Sequence, residues 1–386
     1  MKLVSWQSVL TEHQVHLMRA LRERLQGDLL VVTGVQELAE RRGQGWTKVK
    51  ADDLPVCLLP QHGWWTVGRS LIDVYPDAFH IFGGIFADRR FFPLMLYAQY
   101  RGVRTALMSE PYAESAVSYF GGGSAIIERI KRRLRPLLYR FAGLLVGRRL
   151  DALFPISSLA AEQFEVAGLA KGGSYPFGYF LPQAPQHDLS HSRFRTVGTV
   201  RLIFVGSLIE RKGLGLMLEA IRIAHASLGG RPFTLLLDIY GPGRMPAGEL
   251  PAGVQFKGAI PFGEVQSVIS SYDALVLPSL HDGWGVVVNE ALLQGVPAIV
   301  SDAVGAKALV LKAEAGSVFK AGDPASLARV FVNLAEDPDS LTIWEEGAKR
   351  MSASLDPTVA ADYLLACLEH AKNNKGVPPP APWYPS

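Results

Sequence analysis

An alternation of strand-like and helix-like stretches, broken once and then begun again, constrains this chain more than any other feature. Apolar runs at 3–6 (LVSW), 28–34, 78–84, 104–111 and 152–157 alternate with helical periodicity at 12–25, 88–100, 129–149 and 158–168. Strands that alternate with helices need crossover connections, which predicts mostly parallel sheets covered by helices. Periodicity stops between residues 180 and 195 (FLPQAPQHDLSHSRFR), where Pro, Gln, His and Ser collect as in a linker. A second series of strands follows at 201–206, 233–241, 254–258, 273–279 and 297–302. The length of 386 residues fits two domains, each able to bury its own core. The expected fold class is therefore α/β, with two doubly wound, Rossmann-like domains facing across a cleft. The expected divisions are a first domain over 1–182, a linker over 183–200 and a second domain over 201–355. A helix over 356–375 should pack back towards the first domain, leaving a disordered proline-rich tail over 376–386.

Composition removes several classes. With 48% hydrophobic and 19% charged residues the chain is not disordered, and no apolar run reaches the roughly 18 residues of a membrane-spanning helix. The N-terminus MKLVSWQSVL reads as a first strand and not a signal peptide, so the cytoplasm is expected. Cys57 and Cys367 lack the spacing of a zinc or redox motif and are expected as buried apolar residues.

The net charge of +3 hides an asymmetry, because residues 129–149 (RIKRRLRPLLYRFAGLLVGRR) hold eight basic residues and no acid. The remainder of the chain is net acidic. Apolar residues interleaved at helical spacing, among them Leu134, Leu137, Leu138, Phe141, Leu144 and Leu145, form a stripe beside Arg129, Lys131, Arg132, Arg133, Arg135 and Arg140. Such a helix suits an anionic membrane surface, or else lays its stripe on its own core. No zinc-finger spacing or aromatic-basic RNA signature accompanies the charge, so nucleic acid is not an expected partner.

Two strand-to-helix loops of the second series carry the unusual residues. GSLIERKG (206–213) offers glycines for close backbone approach, the cations Arg211 and Lys212, and a following helix start, a combination suited to a phosphate. It matches neither a Walker loop nor a dinucleotide fingerprint. HDGWGVVVNE (281–290) sets Asp282 and Glu290 around the Gly283-Trp284-Gly285 turn, with a helix expected to begin near Gly285. Eight helical residues rise about 12 Å, too far for two carboxylates flanking one scissile bond of a glycosidase. One acid holding each end of a nucleotide sugar fits better; the plain alternative is a helix cap and a surface acid.

The stretches FVGSLIERKGLGLMLEAI, IYGPG and VLPSLHDGWGVVVNEALLQGVPAIVSDAVGAKALV resemble retaining glycosyltransferases of family 4, which have the GT-B fold. The resemblance is specific from about 200 to 323. It implies that Glu290 holds the ribose, that Asp282 and the amides of Gly283, Trp284 and Gly285 hold the transferred sugar, and that Lys212 meets the diphosphate, with Gly206, Ser207 and Arg211 completing the donor loop. Asp282 stands where the family usually has Glu, and Ser207 where it often has Arg, a role Arg211 would take over. The first half resembles the family's acceptor domain, with SVLTEHQ (8–14) as its first loop and His80 expected near the donor sugar; Glu110 faces the cleft or caps the next segment. The implied activity is metal-independent, retaining transfer of a hexose without a cofactor; the basic helix, combined with this activity, suggests a lipid-linked glycan acceptor of polysaccharide biosynthesis and a peripheral membrane enzyme at the inner face of the plasma membrane. The one Asp-x-Asp, Asp337 to Asp339, lies between helical stretches, away from any strand-end loop. A nucleotide-sugar 2-epimerase and a non-catalytic nucleotide-sugar-binding relative share the expected architecture.

Overall fold

The computed structural model describes residues 1–35, 51–112, 125–184, 198–230, 233–261, 263–373 and 376–384, with the side chains of 125–132 outside the description. Arg129, Lys131 and Arg132, and most of the expected linker, therefore lie outside what is described.

The first sheet is built from β1 (Leu3–Gln7), β2 (Leu29–Thr33), β3 (Val56–Leu58), β4 (Phe79–Gly83), β5 (Thr105–Ser109) and β6 (Ala152–Pro155) in the order β3-β2-β1-β4-β5-β6. The helices between them are α1 (Glu12–Arg24), α2 (Trp64–Val74), α3 (Phe91–Tyr100) and α4 (Ala125–Val146), and α5 (Ser158–Val166) follows β6. The second sheet, β7 (Thr199–Val205), β8 (Thr234–Tyr240), β9 (Val254–Gly258), β10 (Ala274–Leu277), β11 (Ala298–Ser301) and β12 (Gly316–Phe319), runs β12-β11-β10-β7-β8-β9. Its helices are α6 (Leu214–Leu228), α7 (Val265–Ile269), α8 (Val286–Leu293), α9 (Lys307–Ala313), α10 (Pro324–Glu336) and α11 (Ser340–Ser352). All pairings within both sheets are parallel, as the run of fully buried residues in β1, β5, β6, β10 and β11 requires of strands covered on two faces.

Both orders are the doubly wound order 3-2-1-4-5-6 counted within each domain, so each sheet has one point where the winding reverses, between β1 and β4 and between β7 and β10. Loops leaving neighbouring strands diverge there and open a crevice, which is where such sheets take ligands. The two motif loops of the sequence follow β7 and β10, the two strands on either side of the second reversal.

One apolar cluster crosses both domains. It runs from Leu3, Val31 and Phe154 through Tyr175, Phe177 and Phe180 to Trp284, Val288, Leu364 and Trp383. The last helix, α12 (Pro357–Asn373), lies on α1, where Arg24 reaches Asp362 (Nε–Oδ1 2.6 Å) and Tyr175 Oη meets His370 Nδ1 at 2.8 Å.

Three sequence expectations change. The tail is not loose: Trp383 is fully buried between Phe177, Phe180 and Tyr363, with its ring 4.3 Å from that of Phe180. Cys57 is half-buried on the short strand β3, while Cys367 is buried as expected. The strands β3 and β12 and the helix α2 were not predicted; three- and four-residue strands are too short to carry a periodic signal.

Candidate donor-sugar site

The loops after β7 and β10 form one unit. Past Val205 the chain crosses Gly206 and Ser207, makes a 3₁₀ turn at Glu210–Lys212 and enters α6 through Gly213. The Leu280 N–H donates to the Arg211 carbonyl at 2.8 Å, and Arg211 Nη1 donates to the His281 carbonyl at 2.7 Å. Arg211 thus ties the loops together. Gly213 has φ +71, and a Cβ there would lie 2.0 Å from the Pro278 carbonyl oxygen, so the close approach of the loops depends on its missing side chain.

This junction brings together Lys212 and Asp282. Lys212 Nζ donates to Asp282 Oδ2 at 2.5 Å, and both side chains are largely shielded from solvent. Burial alone would push the Asp282 carboxyl up, but the charges of Lys212 and Arg211 outweigh it and hold the group below its ordinary value. Asp282 is thereby fixed as an anion, and the Lys212 ammonium keeps two further N–H donors beside it.

After Asp282 the backbone turns through Gly283, Trp284 and Gly285 (φ +93) into α8. The carbonyls of Asp282 and Trp284 accept from the amides of Gly305 and Ala306, which pins the turn to the loop after β11. Among the described residues, no group accepts a hydrogen bond from the amides of Gly283, Trp284 or Gly285. Three free amides at a helix start, beside a lysine, form a site for an anion or a polarised oxygen. The Trp284 side chain points the other way: it is buried against Gly178, and its indole N–H donates to Asn289 Oδ1 at 2.8 Å.

Glu290 follows in the second turn of α8. The residue is half-buried; its carboxyl has no hydrogen-bond or ionic partner among the described residues and is pushed up to about 7 by burial. An acid kept without a partner in a crevice is stabilising to nothing in the chain itself, and is fitted to take donors from a ligand.

His80 is the correction. It is the second residue of β4, three before its end, and is fully buried. The Trp6 indole N–H donates to Nδ1 at 3.1 Å, and Nε2 lies 3.1 Å from the Tyr75 carbonyl. With Nδ1 accepting, Nε2 must carry the proton, so the ring is a neutral, satisfied core group, its pKa lowered to about 4 by burial. The first domain instead sends Glu110, the residue after β5, to the loop. Its Oε2 would lie 2.3 Å from a Cβ on Gly283, and its Oε1 accepts from Tyr179 Oη at 2.6 Å. Tyr179 and Asn289, whose amide donates to the Tyr179 carbonyl at 2.8 Å, escaped the sequence reading; the only signal was an Asn among apolar residues of a buried helix.

Residues 199–337 match the family model described as glycosyl transferases group 1. Fold and match define the class: the chain has the GT-B fold, with a second domain of the glycosyl transferases group 1 type. Among individual proteins it is similar to the 2-deoxystreptamine glucosyltransferase of Streptomyces kanamyceticus, 32% identical over 141 residues, 35% of this chain and 36% of that one. It is also similar to the amylovoran biosynthesis glycosyltransferase AmsK of Erwinia amylovora, 28% identical over 181 residues, 44% of each chain. The matched segment thus spans less than half the length of these curated relatives. In overall fold it is similar to Anabaena HepE solved in complex with UDP-glucose, with a TM-score of 0.64 and 13% identity over 97% of this chain and 100% of that one.

Proposed function

We propose that the chain is a retaining glycosyltransferase that moves a hexose from a nucleoside diphosphate sugar to a hydroxyl of a lipid-linked glycan at a membrane surface. The observation that carries this reading is the meeting of Lys212 and Asp282 beside the free amides of residues 283–285, with Glu290 left without a partner in the helix that follows. Glu290 accepts the ribose hydroxyls, Lys212 and the amides meet the diphosphate, and Asp282 accepts a sugar hydroxyl. As the bond from the sugar C1 to the diphosphate oxygen breaks, the charge released on the phosphate is stabilised by these preoriented donors. The acceptor oxygen attacks the same face and its proton passes to the departing phosphate, which keeps the anomeric configuration. Lysine and helix-start amides supply the countercharge a metal would otherwise bring. HepE, similar in fold, was solved with UDP-glucose, which makes UDP-glucose the first donor to try.

The lipid-linked acceptor rests on α4. Val146 and Ala142 are buried on its inner face, whereas Leu134, Leu137, Leu138, Phe141, Leu144 and Leu145 are between 45 and 79% exposed. Arg133, Arg140, Arg148 and Arg149 stand exposed beside them. Six large apolar side chains turned to water beside uncompensated cations match the layered polarity of an anionic bilayer surface. Phe86, exposed in the loop after β4, touches Tyr139 of α4 at 5.1 Å between ring centroids and continues the apolar surface towards the cleft end of the sheet. This face favours a transferase working on a lipid-borne acceptor over a 2-epimerase, which needs no such contact. No helix among the described residues is long and apolar enough to cross a membrane.

The test is incubation of purified protein with UDP-glucose, GDP-mannose or other nucleotide sugars and a membrane extract containing lipid-linked acceptors, following sugar in the lipid fraction. Transfer from one donor with retained configuration supports the reading; nucleotide-sugar binding without transfer to any acceptor would favour a binding-only relative. Sedimentation with vesicles containing anionic lipid at low salt tests the surface, and Phe141→Asp with Leu137→Asp should abolish it.

A further inference from the structure

We infer that Arg90 is a positioning residue for the acceptor: it locks the loop of residues 84–90, whose outer end meets the membrane, onto the rim of the cleft, and so makes that loop the way in for a lipid-borne hydroxyl. This rests on the transferase reading above. The second domain leans on one end of the first sheet's carboxyl edge. A Cβ on Gly283 would lie 2.3 Å from Glu110 Oε2, after β5, and one on Gly305 would lie 2.7 Å from Ser157 Cβ, after β6. The loops after β1 to β4 are left for the acceptor, and the first three are already bound together. The Gly34 and Val35 amides donate to the Gln7 and Ser8 carbonyls at 2.9 and 3.0 Å, and the Leu59 amide donates to the Thr33 carbonyl at 2.8 Å.

Arg90 adds the fourth loop. It is 7% exposed, and all five of its N–H donors are used. Nε donates to Asp88 Oδ1 at 2.9 Å, Nη1 to the Leu59 and Pro60 carbonyls at 3.0 and 3.1 Å, and Nη2 to the Gly34 carbonyl at 2.7 Å and to Asp88 Oδ2. Burial would raise the Asp88 carboxyl, but the hydrogen bonds and charge of Arg90 hold it below its ordinary value. A lysine, with three donors on one nitrogen, cannot span three carbonyls and a carboxylate. Four residues earlier in the same loop, Phe86 is 41% exposed and packs on Phe92 and on Tyr139 of α4, at the surface assigned above to the membrane. One loop thus has its outer side at the membrane and its inner side on the cleft rim. An acceptor whose lipid stays in the bilayer extends its glycan past this loop to reach the donor. A fixed loop receives it without ordering, whereas a loose one must be ordered at each encounter, which weakens binding.

The test compares wild type with Arg90→Lys, Gly34→Ala and Phe86→Ser. Calorimetry reads the affinity for UDP-glucose or GDP-mannose, whichever the wild type binds, and transfer rates are read against increasing amounts of a membrane lipid extract dosed by its phosphate content. Arg90→Lys should raise the KM for the extract by about ten- to a hundredfold, the range of lost charged hydrogen bonds. It should lower kcat by less and leave donor affinity within about twofold. Gly34→Ala keeps Arg90 but sets a methyl 2.2 Å from Asp88 Oδ2 and 2.7 Å from Arg90 Nη2, so it displaces the pair from the neighbouring loop. It should give the same split more weakly, and it carries the test if Arg90→Lys does not fold. Phe86→Ser should raise the KM for the extract while vesicle retention, which α4 provides, persists. An unchanged extract KM in a folded rim variant or in Phe86→Ser would overturn the proposal. So would a loss of donor affinity as large as the rise in KM, since Arg90 would then only hold the fold. A wild type that transfers no sugar from any donor to the extract would remove the functional reading itself and this inference with it.

Discussion

Lys212 and Asp282, 70 residues apart in sequence, meet Nζ to Oδ2 at 2.5 Å in the crevice between two loops that Arg211 binds together. Lys212 keeps Asp282 charged in a place where burial alone would drive that carboxyl towards neutrality. Lys212→Ala is therefore expected to do two things. It should lower turnover by about a hundredfold or more, as loss of a donor to a developing anion does. It should also destabilise the protein by about 3 kcal/mol, because a buried Asp282 is left without its cation. Asp282→Asn in the same background should recover part of that stability and none of the turnover. Denaturant melts of the four combinations, with a coupling energy indistinguishable from zero, would refute the pairing.

Glu290 sets a function against stability. Its folded pKa of about 7 is above the ordinary 4.5, so the folded chain holds a proton that the unfolded chain has released between these values. The contribution to stability is thus unimpaired below about pH 4.5, declines as pH rises to 7, and stays low above it. Glu290→Gln should raise the melting temperature at pH 8 by a few degrees, on the order of 1 to 3 kcal/mol, and leave it unchanged at pH 4.5. Nucleotide affinity of the wild type should strengthen from pH 6 to 8, as the ionised acid takes ribose hydroxyls. In Glu290→Gln that strengthening should vanish, with affinity weakened about ten- to a hundredfold.

Two glycines of the site should respond differently to the same change. Gly213→Ala puts a methyl 2.0 Å from the Pro278 carbonyl and requires a left-handed backbone of an alanine. Backbone cannot step aside cheaply, so a loss of about 2 to 4 kcal/mol is expected, read from a denaturant midpoint. Gly283→Ala meets the side chain of Glu110, which can turn aside at the cost of its Tyr179 bond, and no backbone atom. Its melt should shift little while its kcat/KM falls, and the reverse order of effects would contradict the geometry.

The sheets were legible because buried parallel strands are continuous apolar runs and the helices between them repeat at 3.6 residues. The donor loops were legible because glycines, cations and acids at strand ends are unusual there. His80 misled because an apolar run does not say where its strand ends, and the three residues after it still belong to β4. Arg211 was read as a phosphate ligand, although its side chain bonds the His281 carbonyl, a contact 70 residues away that no local pattern predicts. Tyr179 gave no signal at all, since an aromatic in PFGYF has many possible neighbours. The stripe on the basic segment was visible in the spacing, but only the packing of Val146 and Ala142 decides that Leu137, Phe141 and Leu144 face outward.

The C-terminal residues were expected to hang free because prolines remove donors and break periodicity, yet Trp383 closes the apolar cluster that joins the domains. Its ring is enclosed by Phe177, Phe180 and Tyr363, all from segments that also carry or support Tyr179 and α12. Removing it leaves a cavity of indole size at the junction, and Trp→Ala changes in such places cost about 3 to 5 kcal/mol. Trp383→Ala, or a chain ending at residue 375, should therefore melt well below the wild type. Because Phe180 and Phe177 lie two chain steps or fewer from Tyr179, the same change should loosen the Tyr179–Glu110 bond and lower transfer more than nucleotide binding. Calorimetry with UDP beside a transfer assay separates the two; equal losses in both would mean that the strap supports folding and has no hold on the sugar site.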